Sequence, residues 1–214
     1  MIYVLTCHFH SILQDKSAES FLDRLPAHLR TDANRYTDPL SRLQSAVGLL
    51  LLCRGTKTLY GQDIPDIARG KNGKPFFQGN PNLHFNISHT DALAACAFAD
   101  RPIGLDIQTE QPGRQDLAPR VLCKQEQDWL DALPEDQQQY GFFKLWTRKE
   151  SVVKNIGTGI GLGLQSLNVL GDTLHRQGQT YHLYHTYYNR MCHLALCSET
   201  AGHIEITDLD PGAL

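Results

Sequence analysis

Six consecutive residues, Lys149-Glu150-Ser151-Val152-Val153-Lys154, lie near the end of a run, residues 141–155, whose pattern predicts a single helix. Apolar side chains recur along and just beyond this run at roughly helical spacing, namely Phe142, Phe143, Leu145, Trp146, Val152, Val153 and Ile156. Gly157 is placed to end the helix, because glycine readily takes the left-handed conformation of a helix C-terminus. Glu150 and Lys154 are four residues apart and therefore share one helix face.

A carboxylate and an ammonium on one helix face allow two interpretations. Together they can hold a metal ion and a phosphate. Alternatively, they form an ordinary surface ion pair, which stabilises a helix by ~0.2–0.5 kcal/mol. Taken alone, the pair favours the second interpretation, because such pairs are common on helices. The rest of the chain bears on the choice between the two.

The composition is that of an ordinary globular protein. The chain has 214 residues, of which 41% are hydrophobic and 20% charged, and this length fits one large domain or two small ones. The net charge of −3 gives no overall basic field, so we expect no nucleic-acid partner. No apolar run approaches the ~20 residues of a membrane span. Residues 1–7 lack the basic lead of a signal peptide and are better interpreted as a first strand.

The cysteines point to a reducing compartment. Six cysteines are present, and none forms a C-x-x-C pair, so that a zinc or redox site is not indicated. Cys53, Cys96 and Cys197 lie in apolar runs, where we expect thiols packed in the core. We therefore expect a cytoplasmic protein with no membrane partner, in which any anion site is built from a few local cations.

The first third of the chain predicts two helices. A short one is expected at residues 17–25. For the other, Asp38-Pro39 is typical of an N-cap followed by a first-turn proline, and the helix is expected to end near Gly55. Its apolar face is formed by Leu43, Ala46, Val47, Leu50 and Leu51. Arg42 lies off this face, early in the helix, where a solvated arginine is the ordinary interpretation.

Residues 70–75, Gly-Lys-Asn-Gly-Lys-Pro, form a glycine-rich basic segment. A phosphate-binding P-loop has Ser or Thr after its Gly-Lys and then a helix. Here Pro75 follows Lys74, so the segment is not a P-loop, and a flexible surface loop is its plain interpretation.

Three segments in the middle of the chain have the patterns of strands. Residues 83–88 alternate apolar and polar side chains, residues 92–98 form an apolar run typical of a buried central strand, and residues 103–108 alternate again. Turn residues separate the three segments. We expect them to form a three-stranded meander.

The third of these strands carries polar side chains on one face. Asp106 and Gln108 are two residues apart and share a face, which we expect to be exposed. Gly104 lies on the same face and leaves room for another group to approach the backbone.

The remainder of the chain predicts a helix at 124–133. After the predicted helix of residues 141–155, strands are expected at residues 166–170, 173–176, 180–187, 191–197 and 204–209. The apolar run 92–97 resembles residues 193–198, and both are suited to the centre of a small α+β unit. Chance similarity between two buried strands explains this equally well.

Three local signals carry chemistry. Ser88-His89 ends a strand, Asp106 projects from another, and Glu150 and Lys154 share the helix face. The two carboxylates suit Mg²⁺, which usually takes one or two protein carboxylates together with substrate phosphates and water. Phosphate charge can be neutralised by Lys154, Lys74, Arg42 and His89. These residues describe a candidate Mg²⁺–phosphate site, provided that the fold brings the distant segments together.

Three ordered motifs resemble the signature of the Sfp-type phosphopantetheinyl transferases, within the holo-acyl/peptidyl-carrier-protein synthase superfamily. They are Asn86-Ile87-Ser88-His89, Gly104-Leu105-Asp106-Ile107 and the segment from Trp146 to Lys154. Gly73-Lys74-Pro75 and Arg42 fit the same pattern. The resemblance extends from about residue 30 to residue 165, and the C-terminal third matches only in its strands.

The resemblance implies a fold and a reaction. The fold is α+β, with two similar halves around a pseudo-twofold axis and the site in the cleft between them. We place the halves at residues 1–102 and 103–214, the second carrying the metal ligands. The implied enzyme moves the phosphopantetheine arm of coenzyme A to a serine of an apo acyl or peptidyl carrier protein. The reaction depends on Mg²⁺ and releases 3′,5′-ADP.

The resemblance also implies roles for residues around the transferred group. Asp106 and Glu150 would hold Mg²⁺ against the pyrophosphate of coenzyme A. Lys154 would contact the same phosphates and offset charge on the transferred group. The carrier serine needs a base, and Glu150 or a metal-bound water could serve.

Further implied contacts lie along coenzyme A. Ser88 and His89 would contact its phosphates, with His89 and Arg42 near the 3′-phosphate. The segment Gly73-Lys74-Pro75 would line the adenine end. Arg30 or Arg35 would supply a further cation, although the correspondence there is loose.

The chain departs from the family pattern at one position. Many members have a second acid two residues after the aspartate, where this chain has Gln108. A glutamine can offer its carbonyl oxygen to the metal but brings no charge. We therefore expect Asp106 and Glu150 to hold Mg²⁺, with water or the amide of Gln108 completing the shell.

Two other functions remain open from the sequence. Gln108 keeps open a non-catalytic protein that binds coenzyme A or a carrier protein, although simple binding does not require Asp106, Glu150 and Lys154 together. An unrelated Mg²⁺-dependent phosphohydrolase is disfavoured, because the chain shows no further carboxylate cluster. An internal pseudo-symmetry permits a monomer, which we expect.

Overall fold

The computed structural model describes residues 1–9, 19–159, 163–190 and 192–214. Its helices are α1 Glu19–Leu22, α2 Ala27–Asn34, α3 Pro39–Tyr60, α4 Ala118–Val121, α5 Lys124–Asp131 and α6 Glu135–Ile156. Its strands are β1 Ile2–His8, β2 Ile67–Arg69, β3 Pro75–Phe77, β4 His84–His89, β5 Leu93–Ala99, β6 Ile103–Gln108, β7 Thr173–Arg176, β8 Gln179–Tyr188, β9 Cys192–Ser198 and β10 Ile204–Leu209. The predicted α+β class is confirmed. The starts of the expected helix at 17–25 and of the expected strand at 191–197 lie outside the described residues.

In the described part of the chain, the strands form two four-stranded sheets and a separate hairpin. The sheet orders are β10-β1-β5-β4 and β6-β9-β8-β7, and β2 pairs with β3. An apolar layer lies between the two large sheets, with Val4 and Ala95 from one and Leu105 and Leu196 from the other. The outer face of the first sheet packs on α3, and that of the second packs on α6.

The two sheets repeat one arrangement. In the first, β1 is followed by α3, β4 and β5, and the three strands lie in the order β1-β5-β4. In the second, β6 is followed by α6, β8 and β9, and the order is β6-β9-β8. The resembling runs at 92–97 and 193–198 are thus the central strands β5 and β9. Since β10 pairs in parallel with β1 in the first sheet, the last strand joins the first half, and the division at 102/103 stays a prediction.

The expected three-stranded meander is wrong in its last strand. Strands β4 and β5 pair antiparallel as predicted, but β6 leaves them and pairs with β9 in the second sheet. The alternation in residues 103–108 fits either sheet equally well, so the pattern alone does not identify the partner strand. Because β6 belongs to the second sheet, β4 and β6 are the edge strands at which the two sheets meet.

Helix α3 begins as predicted and ends later than predicted. The Asp38 side chain caps it by accepting from Ser41 N at 2.8 Å, and Pro39 is its first residue. The helix continues past Gly55 to Gly61, which has a φ of 67°. A Cβ at Gly55 would collide with the ring of Phe98, so this glycine allows the helix to pack closely on β5 and does not end it.

Helix α6 begins at Glu135, before the predicted run of residues 141–155. It ends where expected, at Gly157, which has a φ of 73°. It packs directly on β6, because a Cβ at Gly104 would collide with the backbone carbonyl oxygen of Ser151. The expectation that Gly104 allows a close approach is confirmed.

The expected strand at 166–170 is absent from the structure. These residues follow a short 3₁₀ turn, Leu164–Ser166, and their backbone groups bond to buried side chains. The carbonyls of Leu164 and Leu167 accept from Lys149 Nζ, and Val169 N donates to Glu126 Oε1. Because these groups are already paired, the segment does not join a sheet.

Two further sequence expectations concern thiols and membranes. Cys96 and Cys197 are buried, whereas Cys53 is half-buried beside the core of the first half. Among the helices of the described residues, none has the length and apolar character needed to cross a membrane.

Candidate active site

The site begins with side chains of β4 that bond to the backbone of β6. Asn86 Oδ1 accepts from Leu105 N at 2.8 Å, and Ser88 Oγ accepts from Ile107 N at 3.2 Å. These two side chains provide the acceptors that a neighbouring strand would otherwise offer to an edge strand. The two sheets are therefore joined at this seam, which sets Ser88 directly beside Asp106.

Asp106 is buried at the seam. Its Oδ1 accepts from Lys154 Nζ at 2.7 Å and from Ser88 Oγ at 3.1 Å, and its Oδ2 accepts from Gln108 Nε2 at 3.1 Å. Only 2% of Asp106 is exposed, so the expectation of an exposed strand face is wrong. Helix α6 covers that face, because Gly104 lets the helix lie against the strand.

Lys154 is the cation of this cluster. Besides Asp106, its ammonium donates to Ser88 Oγ at 2.9 Å. The Ser88 hydroxyl can then give its single proton to Asp106 while it accepts from Lys154 and from the β6 backbone. Residues from β4, β6 and α6 therefore meet at one point. This supports the hypothesis of a Mg²⁺–phosphate site over that of an ordinary surface ion pair.

Glu150 lies partly buried near the same cluster. Burial raises the pKa of Glu150, the negative charge of Asp106 raises it further, and Lys154 partly offsets both effects. Mutual repulsion between two carboxylates is the condition that a bound cation relieves. The two carboxylates with a neighbouring amide are donors that fit Mg²⁺, which completes its shell with phosphate oxygens and water.

Glu110, the next acid along the chain, is held elsewhere. Its Oε1 lies 3.0 Å from His193 Nε2, and its Oε2 accepts from Gln139 Nε2 at 2.8 Å. Among the residues that the structure describes, no group of three or more His, Cys, Asp and Glu side chains is arranged to hold a metal ion. Asp106 and Glu150 are therefore the carboxylates to consider, with Gln108 beside them.

Two cavities lie beside the cluster, with Pro75 and Ile87 lining both. We call the first the arginine pocket; it has a volume of about 170 Å³, with Arg35, Arg69, Asp32 and His89 around an apolar floor that includes Leu49 and Phe85. We call the second the lysine pocket; it has a volume of about 260 Å³ and is lined by Lys154, Asn86, Val153 and the segment Gly73-Lys74-Pro75. Lys154 of the cluster lines the lysine pocket, and Asp32 and Arg35 at the end of α2 line the arginine pocket.

Lys74 lines the lysine pocket but directs its ammonium into the protein. Its Nζ donates to the carbonyls of Ile103 at 3.1 Å and Asn155 at 2.8 Å. Burial lowers the pKa of Lys74 to about 8. Its side chain thus connects the β2–β3 hairpin to β6 and to the end of α6.

Arg42 and Arg30, two cations suggested by the sequence, bond to nearby groups of the first half. Arg42 Nε donates to Tyr36 O at 3.2 Å, and its Nη1 lies 3.7 Å from Glu19 Oε1. Arg30 donates to the carbonyls of Leu25 and Asp23. Neither is among the residues that line the arginine pocket. The role of Arg42 at the 3′-phosphate stays a prediction.

His89 ends β4 at the boundary between the cluster and the arginine pocket. Its pKa is lowered by burial first and by the positive charge of Lys154 second, while Asp106 acts in the opposite direction. The imidazole is therefore mostly neutral near pH 7, so that it offers hydrogen bonds rather than a full charge.

Neither Arg69 nor the function of Asn86 at the seam was predicted from the sequence. Arg69 sits in a weakly patterned stretch, and only its pairing opposite Pro75 in the β2–β3 hairpin brings it to the pocket. A basic residue four positions before Gly73-Lys74-Pro75 is a signal that could have suggested Arg69. Asn86 stands in one of the motifs that carried the resemblance. Its bond to Leu105 N, however, depends on β6 being the edge strand of the second sheet.

Comparison with known proteins gives one consistent result. The family model described as the 4′-phosphopantetheinyl transferase superfamily matches residues 102–199. A 4′-phosphopantetheinyl transferase of Bacillus subtilis is 35% identical over 145 residues, which are 67% of this chain and 65% of that protein. The transferase Sfp of Bacillus subtilis strain 168 is 32% identical over 169 residues, covering 78% of this chain and 74% of Sfp. The transferase ffp of Bacillus subtilis is 39% identical over 169 residues, with coverages of 78% and 74%.

Proposed function

The chain belongs to the 4′-phosphopantetheinyl transferases, and we propose that it moves the phosphopantetheine arm of coenzyme A to a serine of an apo acyl or peptidyl carrier protein. The second product is 3′,5′-ADP. The observation that supports this most directly is the meeting of Ser88, Asp106, Glu150 and Lys154 at the seam, beside two cavities of about 170 and 260 Å³. Such a site supplies what phosphoryl transfer needs, namely positioning and charge neutralisation.

Asp106 and Glu150 are the proposed ligands of Mg²⁺. Burial and the negative charge of Asp106 both raise the pKa of Glu150, which supports a pair of carboxylates that a shared cation would stabilise. When bound there, Mg²⁺ would orient the pyrophosphate of coenzyme A and withdraw charge from it. The amide of Gln108 would turn its oxygen towards the ion, or water would take that position.

Lys154 is the proposed phosphate-binding cation. Its ammonium already spans Asp106 and Ser88 and lines the lysine pocket. A pyrophosphate in that pocket would accept from this ammonium, and from the hydroxyl of Ser88 once that hydroxyl turns its single proton away from Asp106. Lys154 thereby offsets the charge that develops on the transferred group.

The carrier serine must lose a proton during transfer, and Glu150 is the carboxylate placed to accept it. Burial and the charge of Asp106 both raise the pKa of Glu150, and a higher pKa makes a carboxylate a better base. Glu150 is only half-buried, whereas Asp106 is buried, and this supports access of a second substrate to Glu150.

The nucleotide part of coenzyme A is proposed to occupy the two pockets. The segment Gly73-Lys74-Pro75 lines the lysine pocket and, through Pro75, the arginine pocket, which suits a wall for adenine. His89 lies between the pyrophosphate and the 3′-phosphate, and Arg42 is retained as a proposed neighbour of the 3′-phosphate.

We also propose that the protein acts as a monomer in the cytoplasm. Both halves of the site come from a single chain, which supports a monomer. All six cysteines are free thiols, which supports a reducing compartment.

Intact-protein mass spectrometry tests the proposed reaction. Apo carrier proteins of several types are incubated with this protein, coenzyme A and Mg²⁺, and a parallel sample contains EDTA in place of Mg²⁺. The expected result is a metal-dependent gain of one phosphopantetheine on at least one carrier. Binding of coenzyme A without a mass gain on any carrier would indicate a non-catalytic binding protein instead.

A further inference from the structure

A hydrogen-bonded network just beyond the end of β6 is not used by the proposed chemistry. It centres on His193, whose side chain is 0% exposed. Glu110 Oε1 lies 3.0 Å from His193 Nε2, and Glu110 Oε2 accepts from Gln139 Nε2 at 2.8 Å. His193 Nδ1 lies 3.0 Å from His185 Nε2. One carboxylate therefore joins the chain after β6 to strand β9 and to helix α6, and through His193 to β8.

The hydrogen bonds of this network have one consistent direction. Burial lowers the pKa of His193, although Glu110 opposes the effect, and burial lowers the pKa of His185 to about 3. Both imidazoles are therefore neutral near pH 7. Because a carboxylate only accepts, His193 donates to Glu110 from Nε2 and accepts from His185 at Nδ1. Each of these side chains has a defined partner, so the network holds Glu110 in one position.

Three aromatic rings pack around His193. The ring centroids of Tyr140 and Tyr187 lie 4.9 Å and 5.0 Å from that of the imidazole. The ring of Phe143 stacks on it at 5.8 Å. A side chain packed in this way has little room to shift, so His193 is a fixed anchor for the carboxylate of Glu110.

Glu110 and Asp106 attach the same part of the chain to the same helix. Asp106 bonds to α6 through the lysine at the centre of the site, and four residues later Glu110 bonds to α6 through Gln139. Gln108 lies midway between these two attachments and donates to Asp106 Oδ2 at 3.1 Å. In the strand register Gln108 is also opposite His193. The position of Gln108 relative to Asp106 therefore depends on both attachments.

We propose that Glu110, held by His193 and Gln139, is a positioning residue that keeps Gln108 beside Asp106 and thereby sets the affinity of the site for Mg²⁺. This inference rests on the proposed function. Both carboxylate oxygens of Glu110 are already bonded, so Glu110 holds the chain and does not itself bind the ion. Partners that orient metal ligands contribute to metal affinity in this indirect way.

Two other roles for Glu110 predict different results. Its negative charge could attract Mg²⁺ without any contribution from its hydrogen bonds. It could also act as a reserve ligand that turns to the ion when its partners release it. Variants of the partners separate these roles, because they leave the charge of Glu110 in place and remove only its bonds.

Isothermal titration of the full chain with Mg²⁺, with coenzyme A at equal concentration in cell and syringe, tests the proposal. The variants are Glu110→Gln, His193→Phe and Gln139→Leu, which remove the charge, the bond to β9 and the bond to α6 respectively. His193→Gln is the conservative variant, because its amide can still donate to Glu110. His175→Gln is the matched control, since His175 bonds to Thr180 at an exposed position on the β7–β8 hairpin.

We expect Glu110→Gln and His193→Phe to raise the dissociation constant of Mg²⁺ by about 3- to 10-fold, below the 10- to 100-fold typical of partners of charged ligands. Gln139→Leu should have a smaller effect in the same direction, because the bond to His193 remains. His193→Gln should return the value towards that of the wild type, and His175→Gln should not change it. The Mg²⁺ concentration for half-maximal carrier modification should follow the same order, with kcat at saturating Mg²⁺ little changed.

Melting temperatures distinguish positioning from a purely structural role. A purely structural role would lower the melting temperature and the active fraction of His193→Phe but leave its dissociation constant for Mg²⁺ unchanged. If His193→Phe does not fold, Gln139→Leu decides by the same criterion, since Gln139 is only half-buried.

Three outcomes would overturn the inference. The first is a wild-type dissociation constant in every folded variant. The second is weaker Mg²⁺ binding in Glu110→Gln alone, which would identify a pure charge effect. The third is tighter binding in His193→Phe or Gln139→Leu, which would identify Glu110 as a reserve ligand. A wild type that modifies no carrier in the presence of Mg²⁺ would overturn the proposed function itself, so the two failures are distinguishable.

Discussion

Lys154 Nζ lies 2.7 Å from Oδ1 of Asp106 and joins helix α6 to strand β6 at the centre of the site. The same ammonium donates to Ser88 Oγ on β4. Since β4 is the edge of the first sheet and β6 the edge of the second, one cation connects both halves of the molecule. The site is therefore a property of the seam, and substitutions there are expected to affect chemistry before they affect the fold.

Glu150→Gln is expected to lose most of the transfer activity while the fold stays intact. The change keeps the shape of the side chain but removes a proposed metal ligand and proton acceptor, and a loss of at least ~100-fold is typical for such a group. Carrier modification by mass spectrometry provides the rate, and circular dichroism provides the fold. Glu135→Gln, which removes an exposed carboxylate from the first turn of the same helix, is the control. Normal turnover in a folded Glu150→Gln protein would contradict the assignment.

Gln108→Glu is expected to strengthen Mg²⁺ binding. The amide of Gln108 donates to Asp106 Oδ2 at 3.1 Å, so a glutamate at this position would place a third carboxylate next to the proposed ion. We expect the Mg²⁺ concentration for half-maximal activity, and the Mg²⁺ dissociation constant by titration, to fall by roughly tenfold. Gln111→Glu adds the same charge at an exposed position further along the chain and should change neither value. An unchanged or higher requirement in Gln108→Glu would show that position 108 does not contact the metal.

The raised pKa of Glu150 predicts a pH-dependent stability effect in metal-free protein. A carboxyl whose pKa is higher in the folded state binds its proton more tightly there, so its contribution is fully favourable below the unfolded pKa, near 4.5. That contribution is lost as the pH rises through the folded pKa. Glu150→Gln should therefore raise the melting temperature in EDTA at pH 7, and the gain should disappear below about pH 4. A gain that persists unchanged at acid pH would exclude ionisation as its cause.

Sequence patterns predicted those parts of the fold whose determinants are local. The cap at Asp38, the end of α6 at Gly157 and the apolar face of β6 each follow from neighbouring residues. The prediction that α3 ends near Gly55 was wrong, because a glycine in a helical pattern can mark either the end of the helix or a close contact with another element. Only the ring of Phe98, distant in sequence, shows that it is the contact.

The candidate site was predictable in its residues but not in its environment. Asp106, Glu150, Lys154 and Ser88 were named from motifs, and the structure brings them together. The burial of Asp106 was missed because alternation along a strand separates two faces without showing what covers each of them. Arg69 was missed for a related reason, since its place in the pocket depends on a hairpin of two short strands with no apolar pattern.

Gly104→Ala is expected to destabilise the protein and to weaken activity. A Cβ at this position would collide with the backbone carbonyl of Ser151, which cannot move aside as a flexible side chain could. Overpacking of this kind costs about 1–3 kcal/mol of unfolding free energy, measurable by urea denaturation. The control is Gly202→Ala, whose new methyl group would have its nearest neighbour at an ordinary 3.7 Å. Equal stability of the two variants would show that α6 and β6 can separate without cost.

Lys149→Met is expected to be the most damaging of these changes, because it breaks a fully buried ion pair. Lys149 Nζ lies 2.6 Å from Glu126 Oε2, and both side chains are 0% exposed. Removing one partner of a buried pair costs about 3–5 kcal/mol, since the other charge is left without compensation.

The double variant Lys149→Met/Glu126→Gln separates that cost from the loss of the lysine's other bonds. Glu126 also accepts from Cys123 N and Val169 N, and a glutamine keeps an acceptor for one of them without the buried charge. We therefore expect the double variant to be more stable than Lys149→Met alone in urea denaturation, though less stable than the wild type, because Leu164 and Leu167 lose the donor to their carbonyls. If the double variant were the less stable of the two, the backbone bonds of Glu126, and not its buried charge, would dominate this part of the second half.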